Sequence, residues 1–200
     1  MRVIVVGATG TIGKSVVKVL AAEHEVVRVA SKSGDFRVDM AHKESIEKLF
    51  AEVGPFDALA CAAGVARFGP MSELSDEDFQ LGLFGKLMGQ VNLVRVGLNH
   101  INDNGSFTLT SGVLSQQPMP GSASISMVNA GIEGFVRAAA LEMPRGIRIN
   151  AVSPPWVKET LEALGMDSSN GMPAERVAQA YRASIDGTRS GNIINARDFA

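Results

Sequence analysis

The stretch Val5-Val6-Gly7-Ala8-Thr9-Gly10-Thr11-Ile12-Gly13 decides the fold, because it follows a short apolar strand pattern and opens a helix pattern. In such a unit the first glycine permits a tight turn, the second lets the backbone approach a pyrophosphate, and the third lets the helix pack closely on the sheet. Free N–H groups at the start of the helix then face the anion. This context predicts a dinucleotide-binding turn formed by Gly7, Thr9, Gly10, Thr11, Ile12 and Gly13.

Strand and helix patterns alternate along the chain, which predicts an α/β fold: a doubly wound parallel sheet (Rossmann fold) of about seven strands in one domain over residues 1–200. The predicted strands are 2–6, 25–30, 36–38, 57–62, 106–111, 148–152 and 191–195. The predicted helices are 11–22, 41–52, 76–98, 122–141 and 174–185. The second and third strands follow each other too closely in the chain for a crossover helix between them, so the helix expected there is missing.

Composition and charge exclude several classes of protein. The net charge of −2 and the scattered lysines and arginines argue against a nucleic-acid partner and against an anionic membrane surface. With no apolar stretch long enough to span a bilayer, we expect a cytoplasmic protein. Cys61, the lone cysteine, lies between alanines and is predicted to be buried and inert. No metal site is predicted, because His24, His42 and His100 have no carboxylate or cysteine at metal-ligand spacing.

The end of the second strand carries the signal for the type of cofactor. Many dinucleotide folds place an acidic residue there to bind the ribose hydroxyls, and its charge would repel a 2′-phosphate. Here the residues are Ser31, Lys32 and Ser33, a cation between two hydroxyls. We therefore predict NADP(H) as the preferred cofactor, with NAD(H) possible. The alternative interpretation is a solvated lysine in a turn.

The order of motifs resembles the short-chain dehydrogenase/reductase family across nearly the whole chain. Asp39, after the third strand, matches the adenine-contacting aspartate of that family, and Thr110-Ser111 resembles its Ser-Ser segment. Cys61-Ala62-Ala63-Gly64 stands where the family usually has Asn-Asn-Ala-Gly. The resemblance implies a catalytic role for Ser111, and further cofactor-binding positions at Met40, Cys61, Ala62, Ala63, Gly64, Thr110, Pro154, Pro155 and Val157.

The pair that performs the chemistry of this family, Tyr-x-x-x-Lys, is missing. Alignment of the segment 130–134 puts Ile125 in the tyrosine position and Asn129 in the lysine position, and a one-residue slip gives Ser124 and Val128 instead. The only tyrosine, Tyr181, lies in the predicted last helix and is not expected to reach the site. The usual general acid is therefore absent.

A second departure concerns Lys86, which occupies the helix position where the family keeps an asparagine, so that lysine and asparagine look exchanged. A desolvated ammonium group near the nicotinamide ribose could bind the cofactor or relay a proton. Lys86 is therefore predicted to be both a cofactor-binding and a catalytic residue. The alternative is a lysine that lies along the surface of a helix.

Residues near the end of the chain complete the predicted substrate pocket. Trp156 could form its floor or pack at the edge of the core, and Thr160 could meet the carboxamide of the cofactor. The segments 116–120 and 164–172 are predicted to form its two lips.

Two functions from different classes remain open. The first is an NADP(H)-dependent oxidoreductase acting on a small carbonyl or alcohol substrate through Ser111 and a substitute proton donor, Lys86 or a bound water. The second is a non-catalytic NADP(H)-binding sensor or partner protein. A third possibility is isomerase or lyase chemistry on the same fold, for which the sequence offers no distinguishing feature. The resemblance also implies a homodimer or homotetramer formed through the helices at 78–98 and 122–141.

Overall fold

The computed structural model describes residues 1–199, and its centre is a seven-stranded parallel sheet in the order β3-β2-β1-β4-β5-β6-β7. This confirms the predicted doubly wound fold. At its centre, Val3–Val6 and Ala58–Cys61 are buried at every position, as expected for a sheet covered on both faces. The strands are β1 (Arg2–Val6), β2 (Glu25–Ala30), β3 (Phe36–Arg37), β4 (Phe56–Cys61), β5 (Ile101–Thr110), β6 (Arg148–Ser153) and β7 (Ile193–Asn195).

Helices cover the sheet on both sides and divide the core into two layers. On one face, Phe50, Leu93 and Ile132 from α2, α4 and α5 are completely buried against the strands. On the other face, Val16 and Tyr181 from α1 and α7 are equally buried. The helices are α1 (Thr11–Leu20), α2 (Lys43–Val53), α3 (Asp76–Gly82), α4 (Gly89–Gly97), α5 (Ala123–Ala139), α6 (Lys158–Ala163) and α7 (Ala174–Asp186).

The link between β2 and β3 contains no helix, as the sequence predicts. Gly34 has a positive φ of 101°, and a Cβ atom there would lie 2.7 Å from the carbonyl oxygen of Arg28. Asp35 then closes the turn, because its carboxylate accepts hydrogen bonds from the backbone and the guanidinium group of Arg28. The tight turn therefore depends on one glycine and one ion pair.

The prediction of one uniform helix over 76–98 is wrong in its middle. Ser75 caps α3 through a reciprocal pair of hydrogen bonds with Asp78, but a π-helical segment, Leu83–Met88, separates α3 from α4. Glycine has a weak preference for the α-helix, and Gly82, Gly85 and Gly89 flank or interrupt this segment. Short π-helical insertions often mark functional positions, and this segment contains Lys86.

The remaining differences from the predicted elements are small. Strand β5 begins at Ile101 rather than at residue 106, because its first residues join β4 with a shift in register between Phe56 and Ala58. Helix α6 is a short element that the sequence patterns do not predict. Within residues 1–199 no helix is long and apolar enough to cross a membrane. The cytoplasmic location and the absence of nucleic-acid partners stay predictions.

Candidate active site

The glycine turn adopts the geometry that the sequence predicts. Gly7 has a φ of 84°, and a Cβ atom there would lie 2.8 Å from the carbonyl oxygen of Ala62. A Cβ atom at Gly13 would lie 1.9 Å from the carbonyl oxygen of Gly7, whereas one at Gly10 would lie 3.3 Å from the same atom. The turn and the first turn of α1 are thus packed so closely that no side chain fits between them.

A first cavity, of about 450 Å³, lies at the carboxyl ends of β1, β2 and β4 beside this turn. In doubly wound sheets the nucleotide binds at this edge, where the strand order reverses. The cavity wall brings together many of the predicted cofactor-binding residues: Gly7, Thr9, Gly10, Ser31, Asp39, Met40, Ala62, Ala63 and Gly64.

Other predicted cofactor residues lie outside this wall. Lys32 and Ser33 are exposed in the turn that follows Ser31, and Thr11, Ile12 and Gly13 form the first turn of α1. Cys61 is completely buried, and burial raises the pKa of its thiol to about 12. Thr110 is buried as well, and its hydroxyl group donates to the carbonyl oxygen of Cys61. The side chains of Cys61 and Thr110 thus lie buried in the strands beside the cavity, and the roles of both residues in cofactor binding stay predictions.

A second cavity, of about 170 Å³, lies at the carboxyl ends of β5 and β6. Its wall is largely apolar and contains residues from four separate segments of the chain. They include the predicted Lys86, Ser111, Pro154, Pro155, Trp156, Val157 and Thr160, together with Gly112, Val113, Leu114, Ile125 and Asn129.

Lys86 reaches this second cavity from the π-helical segment. Its Nζ atom donates a hydrogen bond to Asn129 Oδ1 over 2.6 Å and lies 3.3 Å from the carbonyl oxygen of Ser111. The interpretation as a surface lysine is therefore wrong. Gly64 makes room for the side chain, because a Cβ atom there would lie 2.5 Å from Lys86 Cγ. Burial lowers the pKa of the Lys86 ammonium group to about 8.

Ser111 is held by a carboxylate that the sequence analysis missed. Its Oγ atom donates to Glu133 Oε1 over 2.9 Å, and Glu133 is only 3% exposed. The same carboxylate accepts from the Ser115 hydroxyl group, from Gln116 over 3.1 Å and from Arg137 over 3.1 Å. Burial by itself raises the pKa of Glu133, but these hydrogen bonds outweigh it and leave the pKa below its ordinary value.

No phenol faces the second cavity within residues 1–199. Ile125 occupies the wall at the position expected for the tyrosine. The Tyr181 hydroxyl group is paired with that of Thr110 in the completely buried core, and burial raises the pKa of this phenol. No described side chain thus places a phenol where the usual general acid would act, and the loss of the Tyr-x-x-x-Lys pair of the family stays a prediction.

The mouth of the second cavity differs from the predicted pair of lips. Phe68 packs edge-on against Trp156 with 6.0 Å between ring centroids. The backbone N–H of Gly69 donates to the carbonyl oxygen of Gly121, which ties this loop to the end of the predicted lip at 116–120. Neither predicted lip, 116–120 or 164–172, contributes a residue to either cavity wall. Met172, at the end of the second of these segments, donates its backbone N–H to the carbonyl oxygen of Trp156.

The histidines also differ from expectation in one respect. His24 Nε2 lies 3.0 Å from Asp186 Oδ1, and Glu23 is near enough for the three side chains to share an ion. The sequence could not show this, because Asp186 is 162 positions from His24. Arg182 already pairs with both carboxylates, and His24 lies just before β2, at the opposite edge of the sheet from both cavities. We interpret this cluster as an ion-pair network.

Fold and site together define a dinucleotide-binding protein, because a glycine turn meets the reversal of strand order at the carboxyl edge of the sheet. A family model described as enoyl-(acyl carrier protein) reductase matches residues 1–188. The chain belongs to the short-chain dehydrogenase/reductase family.

Similar proteins agree with this assignment. The protein lin1944 from Listeria innocua has a crystal structure that superposes with a TM-score of 0.94, at 39% identity and with 98% of each chain covered. A small-chain dehydrogenase crystallised in complex with NADPH gives a TM-score of 0.88 at 26% identity, covering 98% of this chain and 95% of that one. Hydroxynaphthalene reductase arp2 from Aspergillus fumigatus is 30% identical over 130 residues, which are 62% of this chain and 48% of that protein. The match thus spans about half the length of this curated relative.

Proposed function

We propose that this chain is an NADP(H)-dependent oxidoreductase of small carbonyl or alcohol substrates in which Lys86 replaces the missing tyrosine as proton donor. The observation that carries the proposal is the contact of 2.6 Å between Lys86 Nζ and Asn129 Oδ1 in the wall of the second cavity. An ammonium group with a pKa of about 8 is protonated at neutral pH and can still release its proton.

The residues of the first cavity fit a dinucleotide. At Gly7 the backbone itself forms the cradle, since a Cβ atom there would meet Ala62. Gly10 and Thr9 would lie beside the pyrophosphate, and Asp39 beside the adenine. The wall of the second cavity, with Pro154 and Val157, would flank the nicotinamide. When bound, the cofactor supplies or accepts the hydride.

The side chains of the second cavity would handle the substrate oxygen. Asn129 accepts a hydrogen bond from Lys86 and so fixes the direction of the ammonium group. The apolar residues Ile125, Val113 and Trp156 would exclude water from the reacting atoms. Lys86 would then deliver its proton to the oxygen in reduction and recover it in oxidation.

Lys32 supports the choice of NADP(H), because it stands exposed at the end of β2 beside Ser31, which lines the first cavity. Replacing Lys32 with alanine removes a charged donor to the 2′-phosphate, so we expect the Kd for NADPH to rise by about tenfold. The Kd for NADH should change by less than about twofold. Nicotinamide fluorescence measures both values, and an equal loss for the two cofactors would contradict this role.

A second candidate function rests on the absence of a phenol from the second cavity among residues 1–199. Ile125 fills the tyrosine position, and the only phenol is enclosed in the core beside Thr110. A chain that kept the cofactor site and lost turnover would serve as an NADP(H)-binding sensor or partner protein. This function predicts tight NADPH binding without oxidation of the cofactor.

One titration distinguishes these functions. NADPH and NADH are added to the purified protein while nicotinamide fluorescence is followed, and small aldehydes, ketones and quinones are then added. Binding followed by oxidation of NADPH supports the oxidoreductase. Binding without turnover over the whole panel supports the sensor, and no binding contradicts both functions.

We further propose that the chain forms a homodimer or homotetramer through the two helical stretches that contain α3, α4 and α5. Apolar side chains stay exposed there: Phe84 is 54% exposed and Met127 is 41% exposed. Covering such a surface by symmetry gives the commonest kind of oligomer. Light scattering after size-exclusion chromatography should therefore give a multiple of the chain mass of 21.1 kDa at micromolar concentration.

The matched variants are Phe84→Glu and Met166→Glu. Phe84→Glu brings like charges together across a symmetric interface and should yield the monomer, whereas Met166 lies outside these helices and its variant should keep the wild-type mass. A monomeric wild-type protein would contradict the proposal.

A further inference from the structure

Glu133 is a buried carboxylate that has no role in the chemistry proposed above. It lies one helical turn after Asn129 on α5 and receives hydrogen bonds from two serines, one glutamine and one arginine. These four donors satisfy both carboxylate oxygens. The carboxylate is therefore stable as an anion although its cationic partner, Arg137, is about half exposed. A carboxylate held in this way acts on its neighbours through a fixed negative charge.

The first consequence concerns Ser111. A hydroxyl group has one hydrogen, and an ionised carboxylate is a stronger acceptor than a carbonyl group. The Ser111 hydrogen therefore goes to Glu133 at 2.9 Å rather than to the carbonyl oxygen of Asn129 at 3.3 Å. Only the lone pairs of Ser111 Oγ then remain available to the cavity. Ser111 can therefore accept a hydrogen bond there but cannot donate one.

The second consequence follows when Lys86 is added. Its ammonium group has three hydrogens, of which one goes to Asn129 and one to the carbonyl oxygen of Ser111. The third hydrogen remains for a substrate. The cavity thus offers one donor and one acceptor, and an alcohol oxygen, which accepts and donates, can use both. A carbonyl oxygen only accepts, and it would face the lone pairs of Ser111.

We infer that Glu133 is a positioning residue that keeps Ser111 a hydrogen-bond acceptor, so that the second cavity binds a small apolar alcohol more tightly than the matching ketone or aldehyde. The inference deepens the proposed function and rests on it in taking this cavity as the substrate site. The cavity volume of about 170 Å³ suits one six-membered ring, since an apolar cavity of about 150 Å³ holds benzene.

The test uses the cofactor-free protein, in which neither probe can react. Cyclohexanol and cyclohexanone are titrated into ¹⁵N-labelled protein, and the indole N–H signal of Trp156, the only tryptophan, reports on the cavity. One additional hydrogen bond should make the Kd of cyclohexanol about fivefold lower than that of cyclohexanone. Ser111→Ala removes the acceptor and should make the two Kd values equal.

Two further variants separate positioning from packing. Glu133→Met frees the Ser111 hydrogen to turn towards the cavity, and the preference should then vanish or reverse. Ser115→Ala removes a donor to the same carboxylate oxygen but lies outside the cavity wall, so the preference should persist. If Glu133→Met does not fold, Glu133→Gln takes its place: a neutral amide accepts the Ser111 hydrogen less strongly than a carboxylate does, so the preference should become smaller.

Equal affinities in the wild-type protein, or a preference that survives Ser111→Ala, would overturn the inference. Because no cofactor is present, these results are independent of NADPH binding and turnover. Failure of NADPH to bind would contradict the proposed oxidoreductase and leave the measured preference unaffected.

Discussion

Replacing Gly13 with alanine is expected to destabilise the protein by about 3 kcal/mol and to abolish measurable NADPH binding. The new Cβ atom would lie 1.9 Å from the carbonyl oxygen of Gly7, so α1 must move away from the turn that it closes. Urea unfolding followed by circular dichroism gives the free energy of unfolding, and nicotinamide fluorescence gives the loss of binding.

Gly134→Ala is the matched control for this substitution. Gly134 lies in α5 with no atom within 4 Å of the position of a new Cβ atom. Alanine has the higher helix propensity, so the control should be as stable as the wild type or more stable by up to about 1 kcal/mol. If Gly13→Ala unfolded at the same urea concentration as the wild type, the close packing of turn and helix would be wrong.

Replacing Lys86 with methionine is expected to lower kcat for carbonyl reduction by about 100-fold to 10,000-fold, the usual contribution of a general acid. Methionine keeps much of the apolar length of the side chain, which packs against Gly64. The measurement is NADPH oxidation with the best carbonyl substrate of the panel. Lys48→Met removes an equally charged side chain from the exposed face of α2 and should leave kcat unchanged.

The pH dependence provides an independent check on Lys86. Since burial lowers the pKa of its ammonium group to about 8, the proton donor is present below that pH and is lost above it. We expect kcat for reduction to be constant below about pH 7 and to fall by about tenfold per pH unit well above pH 8, while alcohol oxidation rises through the same range. A reduction rate that stays level from pH 6 to pH 10 would exclude Lys86 as the donor.

The fold could be predicted because local patterns determine it. Gly7, Gly10 and Gly13 combine with a strand before them and a helix after them, and that combination fixes a parallel β-α unit. The missing helix between β2 and β3 followed from chain length alone. The π-helical segment could not be predicted, because its apolar spacing differs little from that of an ordinary helix over so few residues.

The site was predictable only where a motif marked it. The exchange of Lys86 and Asn129 was proposed from alignment with a family pattern, and the structure places the two side chains in contact. Glu133 was missed even though one signal was present, a charged residue on the apolar face of a helix four positions after Asn129. Its link to Ser111 depends on how α5 crosses the end of β5, and a single sequence does not contain that angle.

The central place of β1 in the sheet has a consequence for the synthesis of the protein. Val3 pairs with Val26 on one side and with Ala58 on the other, so β1 lacks one of its two neighbours until β4 has been made. At about 5–20 residues per second, an apolar strand edge stays open for seconds on the ribosome. Nascent chains of this protein are therefore exposed to wrong pairing with other chains early in translation, before the cofactor turn has both of its supporting strands.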